Sequence, residues 1–205
     1  MEQANPRPRT ASGCPRWFTD QYRAVSLHTE RGYFRSLVAR TGTSQAMANT
    51  VKRIGLISDT HGLLRKEALE ALRGSELIIH AGDVGKPEIL ETLRTVAPVV
   101  AVRGNVDTEP WAQALPETAV AEAGSVSIYI LHDVKALDLN PASSGFHIVV
   151  SGHSHKPGKT ERDGVLYINP GSAGPWRFQL PVTVARLNLR RMPYEVEFVD
   201  LEASL

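Results

Sequence analysis

The sequence predicts an α/β fold in which two mixed β-sheets stack face to face and helices cover their outer sides. Between residues 51 and 107, short β-branched runs alternate with segments of helical periodicity, and this βαβαβ order implies parallel strands. Beyond residue 117 most apolar runs are short and separated by turn residues, which predicts further strands. We therefore expect a parallel sheet that opens into mixed or antiparallel pairing.

The first half of this pattern supplies three strands and two helices. The predicted strands are the apolar runs "VKRIGLIS", "ELIIHAGD" and "PVVAVRGN". One helix, "RKEALEALRG", carries Leu and Ala at helical spacing and ends at a glycine. The other, "KPEILETLRTVA", has a proline near its first turn, where a missing N–H does no harm.

The second half is richer in strands. Two strands about a Gly-Ser turn are predicted in "TAVAEAGSVSIYILHD", and one more in "HIVVSG". A hairpin with an Asp-Gly turn is predicted in "KTERDGVLYINPGS". The chain then closes with two alternating strands, "PVTVARLNL" and "YEVEFVDL".

Composition limits the class of protein. The 205 residues are 42% hydrophobic, which fits one domain with a proper core. No apolar run approaches the ~18–20 residues needed to cross a membrane, and no secretory signal is evident, so we expect a cytoplasmic protein without a membrane partner. Cys14 is the single cysteine, which excludes an internal disulfide and a thiolate metal cluster.

Charge is distributed unevenly along the chain. Residues 1–50 hold seven of the 23 basic residues and three of the 22 acidic ones, which leaves 16 basic and 19 acidic residues in 51–205. The main body is therefore mildly acidic. This argues against nucleic acid as an obligate partner, since binding the phosphate backbone needs a basic surface.

Residues 1–50 lack a sustained period of either 2 or 3.6 residues, and we expect them to be a disordered or mis-assigned N-terminal extension to a domain at 51–205. One alternative is an organelle transit peptide, because the segment is rich in Arg and poor in acids. Another is that Met47 is the working start, since a compact domain would then begin almost at its first strand.

Potential ligands follow five of the apolar strands. In open α/β sheets the carboxyl ends of the strands form one edge, where sites are built, so we expect these ligands to converge. By contrast, we expect His80 and His147 to be core histidines, because they lie within or open apolar strands. The clusters are Asp59-Thr60-His61, Gly82-Asp83, Gly104-Asn105-Val106-Asp107, His132-Asp133 and Gly152-His153-Ser154-His155.

The ligand types indicate a metal site and its chemistry. Carboxylate, carboxamide and imidazole groups without thiolates suit Mn²⁺, Fe, Zn²⁺ or Co²⁺. Two Asp, one Asn and four His in these clusters make seven ligands, which are too many for one tetrahedral ion and about right for two. Two ions ~3.5–4 Å apart form a clamp for in-line displacement at phosphorus. The sequence therefore predicts phosphoester hydrolysis.

The order of these motifs resembles the calcineurin-like metallophosphoesterases. D-x-H is followed by G-D, G-N-x-D, H and G-H-x-H, and "ISDTHG", "HAGD", "GHSHKP" and "NPGSAG" are similar to the small bacterial and archaeal phosphodiesterases of that family. The resemblance covers about residues 51–190. It implies a four-layer αββα sandwich, a small phosphodiester substrate, two divalent ions with Mn²⁺ favoured over Zn²⁺, Fe, Co²⁺ or Ni²⁺, and a homodimer or homotetramer.

The resemblance also implies a role for each ligand. Asp83 would bridge the two ions, and a hydroxide bridging the same ions would be the nucleophile. Asn105 would keep an N–H to offer a phosphoryl oxygen. The first ion would be held by Asp59, His61 and His155, and the second by Asn105, His132 and His153.

Two departures from the family pattern affect the chemistry. Many relatives have His where this chain has Val106, held by the following acid and placed to protonate the leaving group. Asp107 is then a catalytic acid without its imidazole, and we expect better activity on aryl phosphodiesters than on alkyl phosphomonoesters. Asp133 stands where relatives commonly have Gly, and we expect it to point outward rather than tune His132. Arg177 is a candidate phosphate contact.

Two other functions stay open from the sequence. The chain could be a non-catalytic scaffold on the same fold, although such a scaffold has lost metal-site histidines and this chain has all seven ligand positions filled. It could instead be a nucleotide phosphodiesterase or phosphatase. Metal analysis and a substrate screen would separate these alternatives.

Overall fold

The computed structural model describes residues 51–177 and 179–203, together with the backbone of two strands within 22–39. Helices lie between some of the described strands. The α-helices are α1 (Lys66–Ala71) and α2 (Pro87–Arg94), and the 3-10 helices are Pro110–Ala114 and Val134–Ala136. The strands are β1 (Tyr22–Thr29), β2 (Gly32–Ala39), β3 (Arg53–Ile57), β4 (Leu77–His80), β5 (Val99–Ala101), β6 (Thr118–Ala123), β7 (Val126–Leu131), β8 (Ile148–Val150), β9 (Gly158–Arg162), β10 (Val165–Asn169), β11 (Thr183–Asn188) and β12 (Glu195–Asp200).

These strands form two mixed sheets. The five-stranded sheet has the order β12-β11-β3-β4-β5, and its three βαβ strands β3, β4 and β5 are parallel, as predicted. The seven-stranded sheet has the order β1-β2-β6-β7-β8-β10-β9, in which β7, β8 and β10 are parallel to one another. Asp163 and Gly164, between β9 and β10, have φ of 51° and 75°, which is the backbone of the predicted Asp-Gly turn.

The core lies between the two sheets. Alternation along β3 sends Ile54 and Leu56 to this core, where they pack with Ile128, Ile130 and Val150 of the other sheet. The opposite face of the five-stranded sheet is covered by α1 and α2, and the α2 residues Leu90 and Leu93 are fully buried there. The predicted sandwich of two mixed sheets is confirmed.

The outer face of the seven-stranded sheet has a different cover. Tyr129 and Val149 are buried there beneath Leu139 and Phe146, which come from the loop that follows the 3-10 helix Val134–Ala136. Among the described residues, the fourth layer of the sandwich is therefore a loop with a 3-10 turn rather than an α-helix.

Two features differ from the sequence analysis. The structure has strands β1 and β2 in a segment where no element was expected, and β2 pairs in parallel with β6. The remainder of residues 1–50, including Met47, lies outside the described residues. His147 is exposed, because it precedes β8 at the rim of the sheet, so its assignment to the core was wrong.

His80 is the core histidine that was predicted. It is fully buried, its Nδ1 accepts the N–H of Gly82 at 3.3 Å, and its Nε2 donates to Thr60 Oγ1 at 2.9 Å. Burial lowers the pKa of His80 to about 4, so the ring is neutral. In the described part of the chain, no helix combines the length and the apolar content needed to cross a membrane.

Candidate metal centre

One cluster of ligand atoms forms where the loops after β3 and β8 meet. His155 Nε2 lies 3.3 Å from both Asp59 Oδ1 and His61 Nε2, and the distance from His61 Nε2 to Asp59 Oδ1 is 4.0 Å. The three side chains offer their ligand atoms to a common point. The loops thus bring together the three residues that the resemblance assigns to the first ion.

The Asp59 carboxylate is the observation that tests whether this cluster fits a cation. Its Oδ2 accepts hydrogen bonds from Ser58 Oγ and from the His153 N–H. Its Oδ1 is buried and accepts no hydrogen bond within the described residues. Burial raises the pKa of the Asp59 carboxyl to about 6, so a nearby positive charge would stabilise its ionised form. Carboxylate and imidazole donors around an unsatisfied oxygen fit a divalent transition-metal ion.

A second cluster lies at the ends of β5, β7 and β8. Asn105 Oδ1 is 3.0 Å from His132 Nε2 and 3.1 Å from His153 Nδ1. His132 Nδ1 donates to the Ala81 carbonyl at 2.7 Å, which orients the ring so that Nε2 faces the cluster. The structure therefore brings together the three side chains that the resemblance assigns to the second ion.

Asp83 lies between the two clusters. Its Oδ2 is 3.3 Å from His132 Nε2 and 3.9 Å from His61 Nε2, while its Oδ1 accepts the Val106 N–H at 3.0 Å. Burial lowers the pKa of His132, but the hydrogen bond and the negative charge of Asp83 outweigh burial and leave that pKa raised. One carboxylate oxygen thus faces imidazoles of both clusters.

The backbone of these ligands is unusual. Five of the seven predicted ligands have positive φ: Asp59 (55°), His61 (46°), Asp83 (55°), His153 (65°) and His155 (58°). Left-handed backbone is uncommon outside glycine and is retained where the surrounding structure requires it, often at functional sites.

Glycines let neighbouring loops approach the ligands closely. A Cβ at Gly104 would overlap the carboxylate and the backbone N of Asp83, and one at Gly152 would overlap Ser58 Oγ and approach Asp59 Oδ2. The sequence motifs contain these glycines, but only the fold shows which carboxylate each one faces.

Asp107, predicted as a catalytic residue, has its carboxylate engaged by backbone N–H groups. It is buried, its Oδ2 accepts the N–H groups of Gly104 (2.9 Å) and Val84 (3.1 Å), and its Oδ1 accepts that of Gly85 (2.8 Å). These bonds tie the loop after β5 to the loop after β4. The geometry favours a role in positioning Asn105 and Asp83.

Two further charged side chains lie at the edge of the site. Asp133 Oδ1 accepts the Lys135 N–H at 3.0 Å, but its Oδ2 lies 3.8 Å from His153 Nε2, so the carboxylate turns toward this histidine rather than outward. Arg177 is exposed. Burial lowers the pKa values of His61 and His155, and the positive charge of Arg177 lowers both further, which places this charge near the first cluster.

Two clefts adjoin the second cluster and share His153 in their walls. The first has a volume of about 560 Å³ and extends from Asn105 and His132 toward Arg103 and Tyr129. The second, of about 580 Å³, extends from His153 in the direction of Lys156 and Arg162. A substrate bound at the cluster therefore has room on both sides of His153.

The sandwich and its cluster of carboxylates and imidazoles define a class, the metal-binding phosphoester hydrolases. Residues 53–192 match the family model described as "Calcineurin-like phosphoesterase superfamily domain". The chain belongs to this superfamily, and the predicted resemblance is confirmed.

Relatives with curated names support the same assignment. A probable metallophosphoesterase of Methanothermobacter thermautotrophicus is 33% identical over 156 residues, which is 70% of this chain and 90% of that protein. The phosphodiesterase YfcE of Escherichia coli is 30% identical over 145 residues, covering 56% of this chain and 76% of YfcE.

Among solved structures, Vps29 of Chaetomium thermophilum superposes with a TM-score of 0.60 over 72% of this chain and 95% of Vps29. The TM-score shows that the two chains share a fold, and at a sequence identity of 18% the likeness concerns the fold alone.

Proposed function

We propose that this protein is a two-metal phosphodiesterase. The observation that carries the proposal is the position of Asp83, whose Oδ2 faces His61 of one cluster and His132 of the other. A carboxylate shared by two cations would reduce their mutual repulsion, and the position of Asp83 between the two clusters supports this arrangement.

The donor set of oxygen and imidazole nitrogen suits two divalent transition-metal ions, which could be Mn²⁺, Zn²⁺, Fe, Co²⁺ or Ni²⁺. The family resemblance favours Mn²⁺ among them. When bound, divalent cations in such a site lower the pKa of water and neutralise charge on phosphoryl oxygens. One ion would be held by Asp59, His61 and His155, the other by Asn105, His132 and His153, with Asp83 shared between them.

The chain's own groups favour diesters with good leaving groups. The Asn105 amide can offer an N–H to a phosphoryl oxygen while its Oδ1 faces the imidazoles. Val106, whose side chain is 44% exposed, has no proton to give to a leaving group. The carboxylate of Asp107 is occupied by three backbone N–H groups, so it does not take over that role. Aryl phosphodiesters need little protonation and are the expected substrates.

The scaffold hypothesis is the alternative. The unsatisfied Asp59 Oδ1 and the left-handed backbone of the candidate ligands favour a working metal site over a scaffold. A cytoplasmic location and a homodimer or homotetramer stay predictions.

The test is a metal analysis followed by a substrate screen. The protein, purified without chelator, would be assayed for bound metal and then for Mn²⁺-dependent hydrolysis of bis(p-nitrophenyl) phosphate and p-nitrophenyl phosphate. We expect faster hydrolysis of the diester and a loss of at least ~10²-fold in Asp83→Asn, because a ligating carboxylate would be removed. No bound metal and no Mn²⁺-dependent activity would support the scaffold.

Asp163→Asn is the matched control. This substitution makes the same chemical change as Asp83→Asn, at a residue that also has positive φ (51°). Asp163 lies in the turn between β9 and β10, away from the ligands. Asparagine tolerates left-handed backbone, so both variants should fold. Activity that survives Asp83→Asn would contradict the proposed ligand set.

A further inference from the structure

The cleft that extends from His153 toward Lys156, defined above by its 580 Å³ volume, is strongly positive. Four cationic side chains line it against one carboxylate, that of Asp133. The cations come from two separate parts of the chain: Lys135 lies in the 3-10 helix Val134–Ala136, and Lys156, Lys159 and Arg162 lie within residues 156–162. Because residues 51–205 carry more acids than bases, this cleft differs in sign from the average surface of the domain.

These cations are available to a ligand. All four side chains are exposed, and none of them forms an ion pair within the part of the chain that the structure describes. The carboxylate of Asp133 is partly engaged with the Lys135 N–H and turned toward His153. Unpaired cations gathered in a concave site raise the local concentration of anions.

Arg162 is held in place on an aromatic surface. Its guanidinium lies 5.4 Å from the centre of the Tyr167 ring, which packs against the buried cluster on the outer face of the seven-stranded sheet. A stacked guanidinium keeps its N–H groups free for a phosphate and loses less conformational entropy on binding. The cleft therefore contains at least one pre-oriented anion contact.

The cleft is continuous with the metal centre. His153 lines it and also approaches Asn105 Oδ1 at 3.1 Å, and Ser151 and Gly152, next to His153 in the chain, line it too. The phosphoryl group that reacts would sit at the ligand cluster, so the four cations beyond His153 are not needed for its charge.

We propose that this cleft binds a second phosphate of the substrate, so that the enzyme's substrates are phosphodiesters that carry a further phosphate group. The inference rests on the proposed function, because it takes the ligand cluster as the place of hydrolysis. A second phosphate could belong to a nucleotide or to a phosphorylated sugar, and the shared chemistry is the additional dianion.

The kinetic test compares two substrates that differ only in this group. They are thymidine 3′-(p-nitrophenyl phosphate) and the same ester with a 5′-phosphate. In both, water attacks phosphorus and releases its protons to solvent, and p-nitrophenolate leaves with the electron pair of the broken P–O bond. We expect kcat/KM to be roughly tenfold higher for the 5′-phosphorylated ester, through KM, and to fall more steeply with added salt.

The variant Lys156→Glu/Arg162→Glu should abolish this preference while changing turnover of the unphosphorylated ester less than about twofold. The control Lys66→Glu/Arg73→Glu makes the same net change of charge on and beside α1, where both side chains are exposed, and should retain the preference. Equal kcat/KM for the two esters in the wild type would overturn the inference. So would an equal loss on both esters in the cleft variant.

A binding measurement separates this inference from the proposed function. Calorimetric titration with thymidine 3′,5′-bisphosphate and with thymidine 3′-phosphate does not depend on turnover. Tighter binding of the bisphosphate by the wild type, lost in the cleft variant, supports the inference even if neither ester is hydrolysed, in which case the phosphodiesterase proposal alone fails. Titration with fructose 1,6-bisphosphate as a third ligand tells whether the thymidine contributes to affinity. If the cleft variant bound thymidine 3′,5′-bisphosphate as tightly as the wild type does, the inference would be refuted.

Discussion

Gly104 lies against the carboxylate of Asp83, where the structure leaves no room for a side chain. A Cβ placed on Gly104 would overlap Asp83 Oδ1 and the Asp83 backbone N, so Gly104→Ala must displace the carboxylate that faces both clusters. The backbone φ of Gly104 is not positive, which means that the substitution tests crowding rather than backbone conformation.

The expected magnitudes follow from that overlap. Overpacking by one methyl group costs about 1–3 kcal/mol in free energy of unfolding. For a domain of this size that corresponds to a fall in Tm of roughly 2–12 °C. A displacement of the carboxylate by about 1 Å should reduce activity by about 10²-fold, since catalytic geometry is that sensitive to misplacement.

Gly158→Ala is the control, because a Cβ there meets nothing within 4 Å and the backbone φ is not positive. Both variants and the wild type would be compared by thermal unfolding with and without Mn²⁺ and by hydrolysis of bis(p-nitrophenyl) phosphate. The reasoning would be refuted by a Gly104→Ala protein that retains wild-type activity and the wild-type rise of Tm with Mn²⁺.

Three other predictions concern leaving groups, acid stability and metal removal. Val106→His should raise kcat for alkyl phosphodiesters by about tenfold, because the new imidazole can protonate the leaving group. The gain should be smaller than the usual ~10²–10⁴-fold for a general acid that a neighbouring carboxylate orients, because Asp107 is engaged elsewhere. An unchanged kcat would count against the view that this site lacks a general acid. The buried His80 has a folded-state pKa of about 4 and an unfolded value near 6.5, so its contribution to stability is complete above pH 6.5 and falls by up to ~3 kcal/mol toward pH 4. Urea unfolding of His80→Gln should therefore depend less on pH in this window than the wild type, and parallel curves would exclude this role. Mn²⁺ at about 100 times its Kd should stabilise the native state by ~2.7 kcal/mol for each ion bound and raise Tm, and a chelator should reverse the rise. A Tm that changes with neither Mn²⁺ nor the chelator would argue against a metal site.

The sequence was sufficient for the strands and helices from Arg53 onward because each has a clear local pattern. The hairpin of β9 and β10, for example, is marked by Asp163-Gly164, which adopts the left-handed backbone that its turn requires. The convergence of the ligands was also predictable, since parallel strands bring their carboxyl ends to one edge. The strands β1 and β2 were missed because the segment around them lacks sustained alternation.

Other features depend on contacts between distant residues. The role of Asp107 is set by N–H groups of the loop after β4, about 20 residues earlier in the chain. The acidic average of residues 51–205 concealed the positive cleft, because Lys135 and Arg162 are neighbours of one cleft only after β8 and β10 have paired. Charge counted along a chain does not reveal charge gathered by a fold.

The left-handed backbone of the ligands has a consequence for how such a protein can change over time. Left-handed conformations cost roughly 1 kcal/mol or more for each residue other than glycine, so five of them together amount to a sizeable part of the ~5–15 kcal/mol that holds a typical domain together. Glycine at any of these positions would relieve that cost in a protein that no longer binds metal. On the proposed function, selection for activity would keep these five residues in place, and a lineage released from it would lose them to substitutions that make the fold more stable.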